Sequence, residues 1–318
     1  MSRFRIFVDG QEGTTGLKIH EHLSGREDIE VLKIDQDKRK DIEVRRAFLN
    51  NADIVFLCLP DAAAKEAVTL IENDKTRVID ASTAHRTSPD WVYGLPELSS
   101  VQRDFVRNAG RVAVPGCHAS GFVALVRPLA ASGILPADYP ISCCSLTGYS
   151  GGGKKLISKY EDEKSIKDIK SPKPYALKLT HKHLPEMQRA AGLAYPPVFM
   201  PVVGSFYQGM TVTVPLATRA LAKKLSAREI RDFLAEYYAG QRFIRVMPYD
   251  ADSNLDENGF LNPEACNGTN RMEILVFGHE EQILLAARFD NLGKGASGAA
   301  IQNMNIMLGL DEGIGLSV

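Results

Sequence analysis

Short apolar runs alternate with polar or amphipathic stretches through the first third of the chain. Residues 5–9 (RIFVD), 29–35 (IEVLKID), 52–60 (ADIVFLCLP) and 76–81 (TRVIDA) each read as a buried strand. A glycine-rich turn, 10–16 (GQEGTTG), follows the first. It leads into a helix over 17–23, where Leu17, Ile19 and Leu23 are spaced among polar residues, and a further helix is predicted from Asp61. Strands alternating with helices predict a parallel sheet with helices on its faces. The run 111–114 (RVAV) closes this region at Pro115-Gly116.

The pattern changes after Cys117. Residues 120–131 and 227–238 read as helices, and 139–147 and 206–215 as strands. Two further strands, 272–277 and 282–289, flank a turn at 278–281. Strand-rich sequence with fewer intervening helices predicts an α+β domain. The polar run 154–173 reads as an exposed helix and loop, and the tail 295–310 as a helix rich in small residues. There is no internal repeat and no low-complexity block.

Composition narrows the function classes. The 318 residues leave room for two ordinary domains, and 44% apolar with 24% charged residues is globular usage. Lys and Arg number 38 against 39 Asp and Glu, so no basic excess points to a nucleic-acid partner. No apolar stretch is long enough for a membrane span, and MSRFRIFVDG lacks the features of a signal peptide. Five cysteines, Cys58, Cys117, Cys143, Cys144 and Cys266, are too sparse for a disulfide framework and lack zinc-ribbon spacing. A reduced, cytoplasmic protein without a bound metal is the simplest expectation.

Several residues could carry chemistry. Gly10, Gly13 and Gly16 lie between a strand and a helix, where glycines let a pyrophosphate approach backbone N–H groups and the helix N-terminus favours its charge. The spacing is GxxGxxG, not GxGxxG, and a plain glycine turn is the alternative. Cys117, in VAVPGCHASG, sits where a strand and a Pro-Gly turn meet a helix. A helix N-terminus favours the reactive thiolate, whereas an ordinary free cysteine is buried and inert. Cys58, Cys143 and Cys144 read as core residues and Cys266 as a loop residue. His181 and His183, in THKHLPEM, point to opposite sides if the segment is extended. Either could serve as a general acid, though a loop histidine is more often structural. Glu186 could cap a helix or orient an imidazole. Arg86, after the fourth strand, could grip a phosphate or carboxylate, or form a surface ion pair.

The stretches VDGQEGTTG, DASTAHR, YGLPEL, VPGCHASG, TGYSGGGK, THKHLPEM and DNLGKGASGAAIQNMN together resemble the N-acetyl-γ-glutamyl-phosphate reductases of arginine biosynthesis, in their short second type. The resemblance spans nearly the whole chain and holds in order and spacing. It implies an α/β fold: a Rossmann NAD(P)-binding domain over 1–116 and 295–318, and an α+β substrate and dimerisation domain over 117–294. It implies a homo-oligomer, dimer or tetramer. Cys117 would be the nucleophile toward an acyl phosphate, with phosphate released. The HKH pair would supply the acid/base histidine, with His183 favoured and His181 a substrate or supporting contact. Tyr175 and Arg86 would contact substrate. Gly10, Gly13, Thr14, Thr15 and Gly16 would hold the cofactor, joined by Ser150 and Gly151 near the nicotinamide and by Asn291 and Gln302 where the tail returns. His118 replaces the aromatic residue, and Gln11-Glu12 the Ala-Ser pair, usual in the long forms; both fit the short type.

Residues and resemblance disagree about the cofactor. Asp35 at the end of the second strand is the residue type that holds the ribose 2′-hydroxyl of NAD. The following QDKRK supplies cations for a 2′-phosphate, with Lys38 and Arg39 the favoured contacts. The resemblance implies NADP. The rival readings are an aspartate-semialdehyde dehydrogenase, with the same chemistry on a shorter substrate, and a redox-inactive NAD(P)-binding regulator, which has no use for Cys117 and His183 together.

Overall fold

The computed structural model describes residues 3–11, 13–162, 171–249 and 251–318. The chain forms two compact units. One runs to Pro115 and takes in Ala296–Leu316; the other comprises Gly116–Gly295 and Ser317–Val318.

The first unit is a doubly wound parallel sheet. Its strands are β1 (Phe4–Asp9), β2 (Ile29–Leu32), β3 (Ile54–Leu57), β4 (Arg77–Asp80), β5 (Val92–Tyr93) and β6 (Arg111–Ala113), in the order β2-β1-β3-β4-β6-β5. All pairings are parallel. Alternate side chains face opposite layers. Ile6, Val8, Ile54, Phe56 and Ile79 pack under α1 (Thr14–Leu23), α4 (Gln102–Asn108) and the helix that ends the unit, Gly298–Met307. Phe7, Val55, Leu57 and Val78 face α2 (Ile42–Asn51) and α3 (Asp61–Thr69). Covered on both faces, β3 is buried throughout, hence its unbroken apolar run. The sheet order reverses between β1 and β3, so a crevice opens at their carboxyl ends.

The second unit is a mixed seven-stranded sheet in the order β11-β12-β13-β10-β7-β9-β8. The strands are β7 (Ser142–Thr147), β8 (Lys173–Pro174), β9 (Val198–Val203), β10 (Met210–Ala217), β11 (Ile244–Val246), β12 (Met272–Gly278) and β13 (Gln282–Phe289). The long helix α5 (Cys117–Ala131) lies across β10 and β13. Gly121 permits that approach: a Cβ there would sit 2.7 Å from Val212 Cγ2 and 2.8 Å from Phe289 Cε1. Further helices among the described residues include α6 (Gly153–Glu161), α7 (Leu184–Ala191) and α8 (Ala227–Tyr237), the last begun by a Ser226–Glu229 capping box.

Three differences from the sequence expectations bear on the site. The second strand ends at Leu32 rather than at 35, so Asp35 lies in the loop beyond it. Helix α5 begins at Cys117 itself rather than at 120, with Gly116 as its N-cap. Strand β9 and helix α7 escaped the pattern because Pro201 interrupts one and the other is short and mostly polar. Of the polar run 154–173, α6 is exposed or half-buried along its length, and 163–170 lie outside the described residues.

Candidate active site

In the second unit, Cys117 is the first residue of α5, and its first turn carries no acidic residue. The partial positive charge of a helix N-terminus there favours an anionic sulfur. Gly295 passes so close that a Cβ would lie 3.0 Å from Cys117 Cβ. The Gly116 N–H donates to Glu186 Oε1 at 2.8 Å. Glu186 lies on α7, whose N-cap is His183, so one buried hydrogen bond joins the cysteine turn to the histidine segment.

The HKH segment is not extended. Residues 182 and 183 form a turn into α7, and the His181 and His183 ring centroids lie 4.8 Å apart. Both rings join one cluster rather than facing opposite ways. His118 stands 5.7 Å from His181 and 5.4 Å from His183, and Phe199 packs on His118 and His181 at 5.2 and 5.1 Å. His181 Nδ1 accepts the His183 backbone N–H at 3.3 Å, so a neutral His181 carries its proton on Nε2. Burial, aided by Lys182, pushes the His181 pKa down.

Tyr175 enters the same cluster. Its backbone N–H donates to Pro201 O at 3.0 Å, and its hydroxyl meets His118 Nε2 at 2.9 Å. Burial raises the phenol pKa, and the charge of nearby Cys117 raises it further. The chain between Tyr175 and the histidines turns through Ala176 (φ 54°) and Leu179 (φ 56°), both left-handed without being glycine. Such residues cost about 1–2 kcal/mol each. His118, which the sequence reading left without a role, is central: 3% exposed, with Nδ1 2.7 Å from Ser145 Oγ. Burial, then His181 and Lys182, push its pKa down to about 3. Its position directly after Cys117 was the available signal, but only the fold shows its partners.

The glycine turn after β7 also lies in this unit. Ser150 Oγ accepts from Asn291 Nδ2 at 3.0 Å, and Asn291 Oδ1 accepts the Gly209 N–H at 2.7 Å. Asn291 is 2% exposed, so its amide fastens the Ser150-Gly151 turn from behind.

The first unit has its own cavity, of about 470 Å³, at the sheet's switch point. Asp9, Gly10, Gln11, Gly13, Arg39, Lys40 and Arg45 line it, together with Cys58 and Leu59. Gly10 has φ +91°, and a Cβ there would lie 2.3 Å from Cys58 O; at Gly16 it would lie 2.5 Å from Gly10 O. Only glycine fits either place. Gly13 caps α1, whose first turn of Thr14, Thr15 and Gly16 carries no acid. Thr14 Oγ1 is buried without a hydrogen-bond partner among the described residues. A backbone cradle, a helix N-terminus and an idle hydroxyl fit a dinucleotide pyrophosphate. Asp9 is bridged by Arg45 at 2.8 Å, yet burial still raises its pKa.

Two residues expected to hold the cofactor stand away from this cavity. Lys38 does not line the cavity; it is exposed and faces Asp35 at 3.7 Å, while Arg39 and Lys40 do line it. The turn at 35–38, closed by a Lys38 N–H to Asp35 O bond of 3.0 Å, sets which cations face inward. Gln302 is 0% exposed, and its amide donates to Glu97 at 2.8 Å and Glu312 at 3.0 Å. It is interior structure, because the returning helix turns that face into the core. Arg86 donates from Nε to Val114 O at 3.0 Å and from Nη2 to Ala81 O at 3.2 Å, which fixes its fork against the backbone. Of the cysteines read as core, Cys143 is buried, whereas Cys58 and Cys144 are only partly so; Cys266 is buried, and none forms a disulfide. No group of described residues has the arrangement of a metal site, and no described helix is long and apolar enough to cross a membrane.

Comparison with known proteins decides the family. Residues 3–105 match the family model described as "Semialdehyde dehydrogenase, NAD binding domain", and 117–291 match "Semialdehyde dehydrogenase, dimerisation domain". The N-acetyl-gamma-glutamyl-phosphate reductase 2 of Nostoc sp. is 49% identical, covering 99% of this chain and 100% of its own length. That of Pseudomonas putida is 47% identical, covering 96% of each. The chain belongs to the N-acetyl-γ-glutamyl-phosphate reductases. It is an oxidoreductase with a Rossmann domain, as the motifs implied. The fold is that of the wider semialdehyde dehydrogenases. Aspartate semialdehyde dehydrogenase II from Vibrio cholerae has a TM-score of 0.71 at 14% identity, covering 97% of this chain and 99% of that one. The Francisella tularensis enzyme gives 0.71 at 15% identity, covering 96% and 100%.

Proposed function

We propose that the chain reduces N-acetyl-γ-glutamyl phosphate to N-acetylglutamate 5-semialdehyde with NADPH, yielding NADP⁺, through a thioester on Cys117, as a step of arginine biosynthesis in the cytoplasm. The observation that carries this reading is the cluster of His118, Tyr175, His181 and His183 beside a cysteine that opens a helix.

Cys117 Sγ attacks the acyl carbon, and the carbon–oxygen bond to phosphate breaks, leaving a thioester and free phosphate. Nicotinamide, when bound, supplies the hydride that reduces that carbonyl. His183 donates a proton to the carbonyl oxygen as the thiohemiacetal forms. His183 then takes the hydroxyl proton back, the carbon–sulfur bond breaks, and the aldehyde leaves as Cys117 regains its thiolate. His181, neutral by its surroundings, and Tyr175 orient the substrate. Arg86, its guanidinium oriented by the Val114 and Ala81 carbonyls, contacts the phosphoryl group or a carboxylate.

Gly10, Gly13, Thr14, Thr15 and Gly16 would hold the pyrophosphate, with Arg39 and Lys40 the cations nearest the ribose. Ser150 and Gly151 would border the nicotinamide. A homo-oligomer, dimer or tetramer, is part of the proposal, supported by the dimerisation domain of the matching family model.

The deciding assay runs in the oxidative direction, with NADP⁺, phosphate and N-acetylglutamate 5-semialdehyde. The wild type should turn over, and Cys117→Ala should lose turnover while still binding NADPH. Near-normal activity in Cys117→Ala would overturn the mechanism. Preference for aspartate semialdehyde would move the assignment to the rival substrate.

A further inference from the structure

Cys117 is followed by a histidine that the mechanism above does not use. His118 is enclosed by α5, β7, the Tyr175 loop and the His181–His183 turn. Its two ring nitrogens meet two hydroxyls: Nδ1 meets Ser145 Oγ at 2.7 Å, and Nε2 meets the Tyr175 hydroxyl at 2.9 Å.

The order of protons along this chain follows from which groups have other partners. A neutral imidazole donates from one nitrogen and accepts at the other. Ser145 is 0% exposed, and His118 is the one side-chain partner of its hydroxyl among the described residues. A buried O–H with no acceptor costs more than a spare lone pair, so Ser145 donates to Nδ1. Nε2 then carries the ring proton and donates to the Tyr175 oxygen. The Tyr175 hydroxyl has no other hydrogen-bond partner among the described residues, so its own proton remains to be given elsewhere. Cys117 lies near enough for its charge to act on that phenol.

We infer that His118 is a positioning residue for Tyr175: Ser145 fixes its tautomer, and its Nε2–H holds the Tyr175 oxygen so that the phenol O–H donates a hydrogen bond to the carbonyl oxygen of the acyl group bound at Cys117. This rests on the reading of Cys117 as the acyl-bearing residue. It gives the histidine after the cysteine a part in the reaction without making it an acid or base. The burial that keeps His118 neutral keeps the arrangement in force across the working pH range.

The test is a double-mutant cycle of His118→Phe and Tyr175→Phe, with kcat and KM measured in the oxidative assay. Each single variant should lower kcat/KM roughly tenfold to a hundredfold, the loss expected when one buried hydrogen bond is removed. The double variant should be no worse than Tyr175→Phe alone, because His118 acts through that hydroxyl. His118→Gln keeps a donor near the Nε2 position and should recover part of the loss. Independent, additive losses, or no recovery by glutamine in a protein of normal melting temperature, would overturn the inference. Should His118→Phe fail to fold, Ser145→Ala in the wild-type and Tyr175→Phe backgrounds decides the matter. It should cost activity only where the Tyr175 hydroxyl is present, and an equal loss in both backgrounds would overturn the inference. An active Cys117→Ala enzyme would sink the catalytic reading instead, whatever the cycle gives.

Discussion

The Glu186 carboxylate accepts the backbone N–H of Gly116 at 2.8 Å, so the helix capped by His183 is fastened to the turn that presents Cys117. Glu186 is 2% exposed, and removing it strands a buried donor. Glu186→Ala should therefore lose about 1–3 kcal/mol of stability. Glu186→Gln, which retains an acceptor oxygen, should lose less. Urea unfolding of the three proteins checks the order, and equal stability of Ala and Gln would refute the strut.

The two histidines of the HKH turn should separate kinetically. His183→Asn should lower the hydride-transfer rate by about 10²–10⁴-fold, the usual loss of a general acid. His181→Asn should chiefly raise KM. Single-turnover measurements with NADPH distinguish the two, and the reverse pattern would assign the proton transfer to His181.

Glycine is required where the cofactor is expected to lie. Gly10→Ala would bring a Cβ within 2.3 Å of the Cys58 carbonyl oxygen at φ +91°, and the loop must then move. NADPH binding, followed by fluorescence titration, should fall by more than tenfold, on the order of the 1.4 kcal/mol that one decade represents. Unchanged affinity would remove the glycine turn from the cofactor site.

The loop cations should differ in their effect on cofactor choice. Arg39→Ala/Lys40→Ala should reduce the preference for NADPH over NADH in catalytic efficiency, since both residues line the cavity. Lys38→Ala should leave it unchanged, because Lys38 faces Asp35 at the surface. Equal or better use of NADH by the wild type would defeat the choice of NADP.

His118 should make the fold sensitive to acid. Its pKa is depressed from 6.5 to about 3 on folding, so the unfolded chain binds a proton that the native protein refuses. The stability it permits is complete above about pH 6.5 and is lost as pH falls toward 3, by at most about 1.4 kcal/mol per pH unit. His118→Gln cannot titrate and should show a shallower loss of Tm between pH 7 and pH 5. Parallel Tm curves for the two proteins would show that His118 does not carry this dependence.

Five of the six strands of the first unit, the glycine turn, the helix after the cysteine and the paired strands 272–278 and 282–289 were legible in the chain; β5, only two residues long, was not. Each is written in local terms: apolar runs, glycine placement and alternation along a strand. The motifs likewise carried the family. What local pattern could not supply was direction. His181 and His183 would face apart on an extended segment, yet a turn of two residues puts both rings into one cluster with His118. Lys38 and Lys40 are the same residue type two places apart, and only the closed turn at Asp35 decides which lines the cavity. Gln302 lies in a motif of the cofactor domain, yet its helix buries that face against Glu97. The sequence by itself determined most of the elements, the family and the reacting residue types, because these depend on short-range periodicity and composition. The tertiary structure decided which polar atoms meet, because a hydrogen bond depends on ångström-scale placement between segments far apart in the chain.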